Sequence, residues 1–357
     1  MFKKKIKISN TVFIGDGQPC FIIGEIGSNH NRSKTTVKLL IDACADAKFD
    51  AVKFQIYDPE LAFSKNLRAK DVNLSKLYGA NTPWWKVARD KILMPRSWFK
   101  EMYKYAKKKK LIVFSTIHLL EDYYFLKQIG VPLIKIASID LEYNFLINQL
   151  SKLKIPTILS TGMANVNEIS NTIKIFRKNK NPNLAVLHCV SQYPPPDQDA
   201  NLKNIQMIKD KFKCIAGYSD HSADNLSASL SVFQGAKIVE KHITLDKKYP
   251  GPDHPFAIEP KEMIDLVNNI RRAEKMLGQY DRVISKGDLK AKKMIRRSIV
   301  LKKDIKAGEK ITLNNIKFAR PPTGISPNRF DDYKNKKIKK NLKAETILKV
   351  EHFLNAK

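Results

Sequence analysis

Eight short runs of apolar, largely β-branched residues, separated by amphipathic helical patterns, constrain this chain more than any other feature. The runs cover 21–26, 51–56, 111–115, 132–137, 157–160, 184–190, 214–218 and 236–242. They are apolar nearly throughout rather than alternating, as strands covered on both faces of a parallel sheet are. Helical periodicity fills intervals at 35–47, 96–109, 120–129, 166–177, 202–211 and 225–234, and 261–277 closes the series. In the first of these, Val37, Leu40, Ile41 and Cys44 fall at i, i+3, i+4 and i+7, one stripe of a helix. Eight such units in about 260 residues predict an α/β fold, a closed TIM (β/α)8 barrel. The alternative is an open doubly wound sheet. Many such sheets carry a glycine-rich phosphate fingerprint after the first strand, and Gly24-Glu25-Ile26-Gly27-Ser28 is not one.

The 357 residues exceed what a barrel needs. We expect a barrel domain over 1–280, a polar linker over 281–295 and a compact small domain over 296–357. In the last, 298–301, 310–313 and 315–319 read as strands, with turns at Ala307-Gly308-Glu309 and Pro321-Pro322-Thr323-Gly324. A unit this small needs a larger surface to pack on. One connection inside the barrel, 57–95, is long and carries Tyr78, Pro83, Trp84 and Trp85. It reads equally as a lid or as a structural excursion.

Charge raises a competing class. Lys and Arg number 65 against 35 Asp and Glu, a net charge of +30. Nucleic-acid binders look like this. Here, however, the positive charge runs along the whole chain, its clusters at 107–110 and 334–340 are short, and no zinc-finger, RNA-recognition or basic-zipper pattern occurs. The charge reads as solvated helix faces that would still steer anionic substrates inward. No apolar run approaches the roughly 20 residues that span a bilayer, and the basic N-terminus lacks the apolar stretch of a secretory signal. The expectation is a cytoplasmic protein that binds neither nucleic acid nor membrane. Cys20, Cys44, Cys189 and Cys214 show no CxxC spacing and read as reduced, buried hydrophobes. Thiol chemistry at Cys189 is disfavoured: it follows His188, and neighbours on a strand face opposite ways.

In a barrel, chemistry gathers at the C-terminal ends of the strands. Those ends carry Glu25, Asn29 and His30; Lys53 and Gln55; Ser115 and Thr116; Lys135, Ser138 and Asp140. The later ends carry Ser160 and Thr161; His188, Ser191 and Tyr193; Ser219, Asp220 and His221; Glu240 and His242. A lone Ser or Thr there is ordinary. Lys53 and Lys135 are not, because each interrupts an apolar run where an unpaired ammonium is costly. With the nearby hydroxyls they read as a cradle for phosphate or carboxylate, in preference to internal ion pairs with Glu25 or Glu240. His221 and His242 end successive strands, so their rings could share one divalent metal of the Mn²⁺, Zn²⁺, Co²⁺ or Fe²⁺ kind. Such a metal would polarise a substrate oxygen. Glu25, Asp140 and Asp253 are then candidates for proton transfer or hydroxyl binding.

Several blocks resemble the N-acetylneuraminate (sialic acid) synthase family. They are Phe21-Ile22-Ile23-Gly24-Glu25-Ile26-Gly27-Ser28-Asn29-His30-Asn31, Lys53-Phe54-Gln55, Leu159-Ser160-Thr161-Gly162-Met163 and Gly217-Tyr218-Ser219-Asp220-His221. Glu240-Lys241-His242-Ile243-Thr244-Leu245-Asp246 and Gly251-Pro252-Asp253-His254 continue the series. The tail, from Arg296-Arg297-Ser298 through Asp304-Ile305-Lys306-Ala307-Gly308-Glu309 to Arg320-Pro321, resembles that family's antifreeze-like SAF (β-clip) domain. The resemblance implies condensation of phosphoenolpyruvate with an N-acyl hexosamine such as N-acetylmannosamine, giving a nine-carbon 2-keto acid and phosphate. It implies phosphoenolpyruvate binding by Lys53, Thr116, Lys135, Ser138, Ser160, Ser191 and Ser219. It implies a divalent metal, most often Mn²⁺, on His221 and His242. Glu25, Tyr193 and Asp253 would bind the sugar, with Arg320 reaching in from the partner subunit of a domain-swapped homodimer. Glu25 or Asp140 would handle the proton of the attacking water.

Three positions depart from the family pattern. Asp140 stands where Glu is frequent, Ser191 where Asn is frequent, and Ile117 where Pro commonly follows the Thr. They bear on the sugar more than on the chemistry, and legionaminic and pseudaminic acid synthases share the framework. Another phosphoenolpyruvate-dependent 3-deoxy-2-keto acid synthase would share the lysines without needing the tail. A nucleic-acid or polysaccharide binder would leave the histidine pair unexplained.

Overall fold

The computed structural model describes residues 1–354. The last three positions of the expected small domain lie outside the described residues. The chain divides into two compact units, Met1–Gly278 and Gln279–Lys357.

The first unit is a closed barrel of eight parallel strands, with no doubly wound sheet. A hairpin of β1 (Lys5–Lys7) and β2 (Phe13–Gly15) precedes it. Its Ile6, Ile8 and Ile14 join the barrel's buried core. The barrel strands are β3 (Phe21–Glu25), β4 (Ala51–Gln55), β5 (Ile112–Thr116) and β6 (Ile134–Ile136). The remaining four are β7 (Thr157–Ser160), β8 (Leu184–Cys189), β9 (Ile215–Asp220) and β10 (Ile238–His242). Every residue of β3, β8, β9 and β10 is buried, as strands covered by helices on one side and filled by side chains on the other must be. β10 closes the barrel by pairing with β3.

Helices follow the predicted stripes. Lys34–Asp46 buries Val37, Leu40, Ile41 and Cys44, and Ser33 caps it by accepting a hydrogen bond from the Thr36 N–H. A helix at Asn144–Lys152 was not anticipated, although Leu146, Ile147 and Leu150 are its buried face. At nine residues its periodic signal is short. The 57–95 connection is no open loop. It holds short helical turns at Pro59–Ala62, Ala69–Val72, Ser75–Tyr78 and Trp84–Val87, with Phe63, Tyr78 and Trp84 in edge-to-face contact. No helix among the described residues is long and apolar enough to cross a membrane.

In the second unit the stretch read as a linker contains a helix, Lys286–Ile295, capped by Ser285. β11 (Ser298–Leu301) and β12 (Ile316–Ala319) pair antiparallel. The segment 310–313 is not a strand: Lys310 makes only an isolated bridge with Lys337. Ile299, Leu301, Ile305, Ile311, Ile316, Tyr333, Ile338 and Leu348 are among the buried residues of a separate small core.

Candidate active site

Strand register assembles the barrel's C-terminal mouth. Glu25 pairs with His242 on one side and with Lys53 on the other. Thr116 pairs with Gln55 and with Lys135, and Glu240 pairs with Ser219. The mouth opens into a cavity of about 340 Å³. Of the expected site residues, Lys53, Thr116, Lys135, Ser138, Ser160, Ser191, Ser219, Tyr193, His221 and His242 line it. Glu25 is fully buried behind Lys53. Asp140 and Asp253 contact cavity-lining histidines without lining the cavity themselves. Arg320 belongs to the second unit, where its Nε donates to the Ile295 carbonyl at 2.7 Å.

Both lysines are internally paired, with the two carboxylates that the sequence offered as ion-pair partners. Lys53 Nζ lies 2.5 Å from Glu25 Oε2 and 3.5 Å from Glu240 Oε1, and it donates to Thr116 Oγ1 at 3.1 Å. Lys135 Nζ reaches both Glu240 oxygens, at 3.0 and 3.1 Å. Ser219 Oγ donates to the same carboxylate at 3.1 Å, and Gln55 donates to Glu25 Oε1 at 3.0 Å. Two buried ammoniums need neutralising partners, and these carboxylates supply them. Glu240, a strand-end residue to which the sequence assigns no binding or catalytic role, is the carboxylate they share. Both lysines line the cavity.

The four charges do not titrate alike. Burial raises the Glu25 carboxyl, and Lys53 only partly opposes it. Burial would raise Glu240 too, but Lys135 and Lys53 outweigh it and hold that group low. Burial would lower Lys53, yet Glu240 and Glu25 carry it above the ordinary lysine value. Lys135 moves the other way, because burial exceeds the pull of Glu240. Two lysines and two carboxylates leave no net charge when all are ionised, and Glu25 is the group that takes up a proton most readily.

The histidine pair sits beside this cluster, at the ends of the last two strands of the barrel. The ring centroids of His221 and His242 are 5.6 Å apart. His221 Nδ1 bonds the Val190 carbonyl at 2.8 Å, so Nδ1 carries the proton and Nε2 the lone pair. Burial lowers His242 to about 4, which keeps that imidazole neutral at physiological pH. Its Nδ1 is buried without a hydrogen-bond partner, and so is Ser160 Oγ. Asp253 Oδ2, 3.8 Å from that Nδ1, accepts from Ser28 N and Oγ. Tyr193 stacks on His221 with centroids 4.1 Å apart. Among the described residues no group of three or more His, Cys, Asp and Glu could hold a metal. Two imidazoles, one with an orphaned buried nitrogen, do fit a divalent ion whose other ligands are water or substrate oxygens.

Glycine makes this packing possible at one point. A Cβ on Gly162 would lie 2.2 Å from Ser191 Oγ and 2.9 Å from Ser138 Oγ, and the Gly162 N–H donates to Ser138 at 2.9 Å. Three further cavity residues escaped the sequence reading. Tyr57 lies just past β4, inside the long connection. His118 lies two residues past β5, a spacing that could have flagged it. Cys189 was set aside on strand alternation, but it is the residue that faces the cavity, 3.9 Å from His221 Nδ1, while His188 Nε2 bonds the Ala200 carbonyl.

The model of the NeuB family matches residues 40–282, and that of the SAF domain matches 296–354. The chain belongs to the NeuB family. Its relatives include the N,N'-diacetyllegionaminic acid synthase of Campylobacter jejuni, 35% identical over 330 residues, covering 92% of this chain and 98% of that protein. The pseudaminic acid synthase of the same organism is 33% identical, over 92% of this chain and 95% of its own length. Among solved structures, the N-acetylneuraminic acid (sialic acid) synthetase of Leptospira borgpetersenii, in complex with citrate, superposes with a TM-score of 0.71 at 34% identity. That match covers 80% of this chain and 94% of the other. The barrel and the SAF module are thus the fold of this NeuB family member.

Proposed function

We propose that this NeuB family member condenses phosphoenolpyruvate with an N-acyl hexosamine to give a nine-carbon 2-keto sugar acid and phosphate. The observation that carries this reading is one cavity that combines two lysines and a row of hydroxyls with two histidines. The lysines and hydroxyls suit a phosphorylated carboxylate. Lys53, Lys135, Thr116, Ser138, Ser160, Ser191 and Ser219 hold phosphoenolpyruvate, and its third negative charge favours the protonated form of Glu25. Glu25, Tyr193 and Asp253 bind the sugar, with Arg320 contributed by a partner subunit as the resemblance implies. A divalent metal, Mn²⁺ by the same resemblance, would be held by His221 and His242 and would supply Lewis-acid polarisation of the sugar aldehyde.

The chain's own groups then do the following. The ammoniums fix carbon 3 of phosphoenolpyruvate over the aldehyde carbon, and the new C–C bond forms there. Glu25 delivers a proton to the aldehyde oxygen. Water adds to carbon 2, and phosphate departs by C–O cleavage. The relatives' names include a diacetylated and a monoacetylated product, so the test uses both kinds of sugar. Purified protein, phosphoenolpyruvate and Mn²⁺ are combined with a panel of N-acyl and di-N-acyl hexosamines, and phosphate is measured. Sugar-dependent release supports the proposal; a folded sample that releases none with any sugar overturns it.

A further inference from the structure

The attacking water has to lose a proton and the departing phosphate has to gain one. Neither lysine suits the first task, since both are charged and paired with Glu240. One other group in the cavity is built for proton traffic. His118 lies two residues beyond Thr116, the end of β5, and the neighbouring strand β6 runs straight into the turn Ser138–Asp140. The adjacency of these two exits brings His118 Nδ1 to 2.5 Å from Asp140 Oδ2.

The ring is fixed from several directions. Its backbone N–H donates to Asp122 Oδ2 at 3.0 Å, and Asp122 is ion-paired with Arg96. Tyr57 packs edge-to-face on the ring with centroids 4.1 Å apart. A carboxylate behind Nδ1 selects the tautomer with its proton there, which places the lone pair on Nε2. Nε2 has no hydrogen-bond partner among the described residues, and the ring lines the same cavity as Thr116, Lys135 and Ser138. Asp140 itself does not line that cavity.

We propose that His118, oriented by Asp140, is the residue that carries the proton of the attacking water on the phosphoenolpyruvate side of the site. This rests on the function proposed above. As the water oxygen bonds to carbon 2, Nε2 takes one of its protons, and Asp140 stabilises the imidazolium. When the bond between carbon 2 and the bridging oxygen breaks, its electron pair leaves with the phosphate, and His118 returns the proton to that phosphate. The second water proton, left on the carbon 2 hydroxyl, is lost as the ketone forms, and it balances the one Glu25 gave to the aldehyde oxygen. His118 is thus a catalytic residue and Asp140 a positioning residue, which moves the proton-transfer role from the acid to the imidazole it holds.

The test compares wild type with His118→Phe, His118→Ala, Asp140→Asn and the double variant His118→Phe/Asp140→Asn. Phosphoenolpyruvate binding is followed by calorimetry and turnover by phosphate release. We expect His118→Phe to bind phosphoenolpyruvate within about threefold of wild type, and kcat to fall by about 10²–10⁴. Free imidazole should restore part of the rate of His118→Ala and none of that of His118→Phe, whose ring fills the space. Asp140→Asn should lower kcat with little change in KM and add almost nothing to His118→Phe, as groups acting in one unit do. A kcat of His118→Phe within twofold of an active wild type would overturn this inference and leave the parent reading standing. An inactive wild type that binds no phosphoenolpyruvate would overturn both.

Discussion

Lys241 and Asp220 form an ion pair with no exposed side-chain surface, Nζ to Oδ2 2.8 Å, one residue before His242 and one before His221. The two residues are paired in the ladder between β10 and β9. Lys241 Nζ also reaches the carbonyls of Ser222 and Asp224, at 2.5 and 2.7 Å, so it ties down the loop that follows His221. Alternation along the strands puts this pair behind the two imidazoles. Lys241→Met leaves the Asp220 carboxylate buried alone and should cost about 3–5 kcal/mol of stability. Denaturant unfolding checks this, and a loss below about 1 kcal/mol would mean that the pair is not needed. Adding Asp220→Asn should recover part of the loss.

His242→Ala removes one of the two imidazoles that would hold the proposed metal. The folded variant should lose Mn²⁺ binding, followed by electron paramagnetic resonance or calorimetry, together with turnover. Unchanged metal affinity would remove His242 from the ligand set.

Phosphoenolpyruvate entering a cavity whose two ammoniums are balanced by Glu25 and Glu240 brings excess negative charge next to Glu25. Burial has already raised that carboxyl, so binding should draw a proton onto it. Calorimetry in buffers of different ionisation enthalpy should read proton uptake near neutral pH, reduced in Glu25→Gln. Buffer-independent binding enthalpies would contradict the charge count.

His30 gives stability a pH dependence. Its imidazole is buried, with Nδ1 accepting from the Arg32 N–H and Nε2 unpartnered, and burial lowers it to about 4. The unfolded chain binds that proton at about 6.5. A depressed folded pKa means that the contribution is whole above about 6.5 and is lost as pH falls toward 4. The loss is of order 1–3 kcal/mol. His30→Phe should flatten this part of the stability profile, measured by denaturant unfolding between pH 7 and 4. An unchanged slope would assign the dependence to other groups.

Arg320 and Glu25 test the swapped dimer. Glu25→Ala and Arg320→Ala should each be nearly inactive alone. If active sites are shared between subunits, mixing and reassembling the two should restore up to about one quarter of wild-type activity, the statistical share of intact sites. Mixtures no more active than their components would place both residues within one chain.

The sequence alone determined the barrel, because eight doubly covered strands need eight apolar runs and the helices between them need one stripe each. It also carried the lysines, the hydroxyls and the histidine pair, since polar residues that interrupt or end such runs stand out locally. It missed Asn144–Lys152, too short for a clear period, and it misread the helix Lys286–Ile295 as linker because that helix buries no residue and so has no core-facing stripe to show. Only the tertiary structure decided how these groups are partnered. The sharing of Glu240 by Lys53 and Lys135, the seat of Asp140 behind His118, and Cys189 rather than His188 facing the cavity all follow from strand register and the direction of side chains at the barrel's rim. Those contacts join residues far apart along the chain, so no local pattern records them.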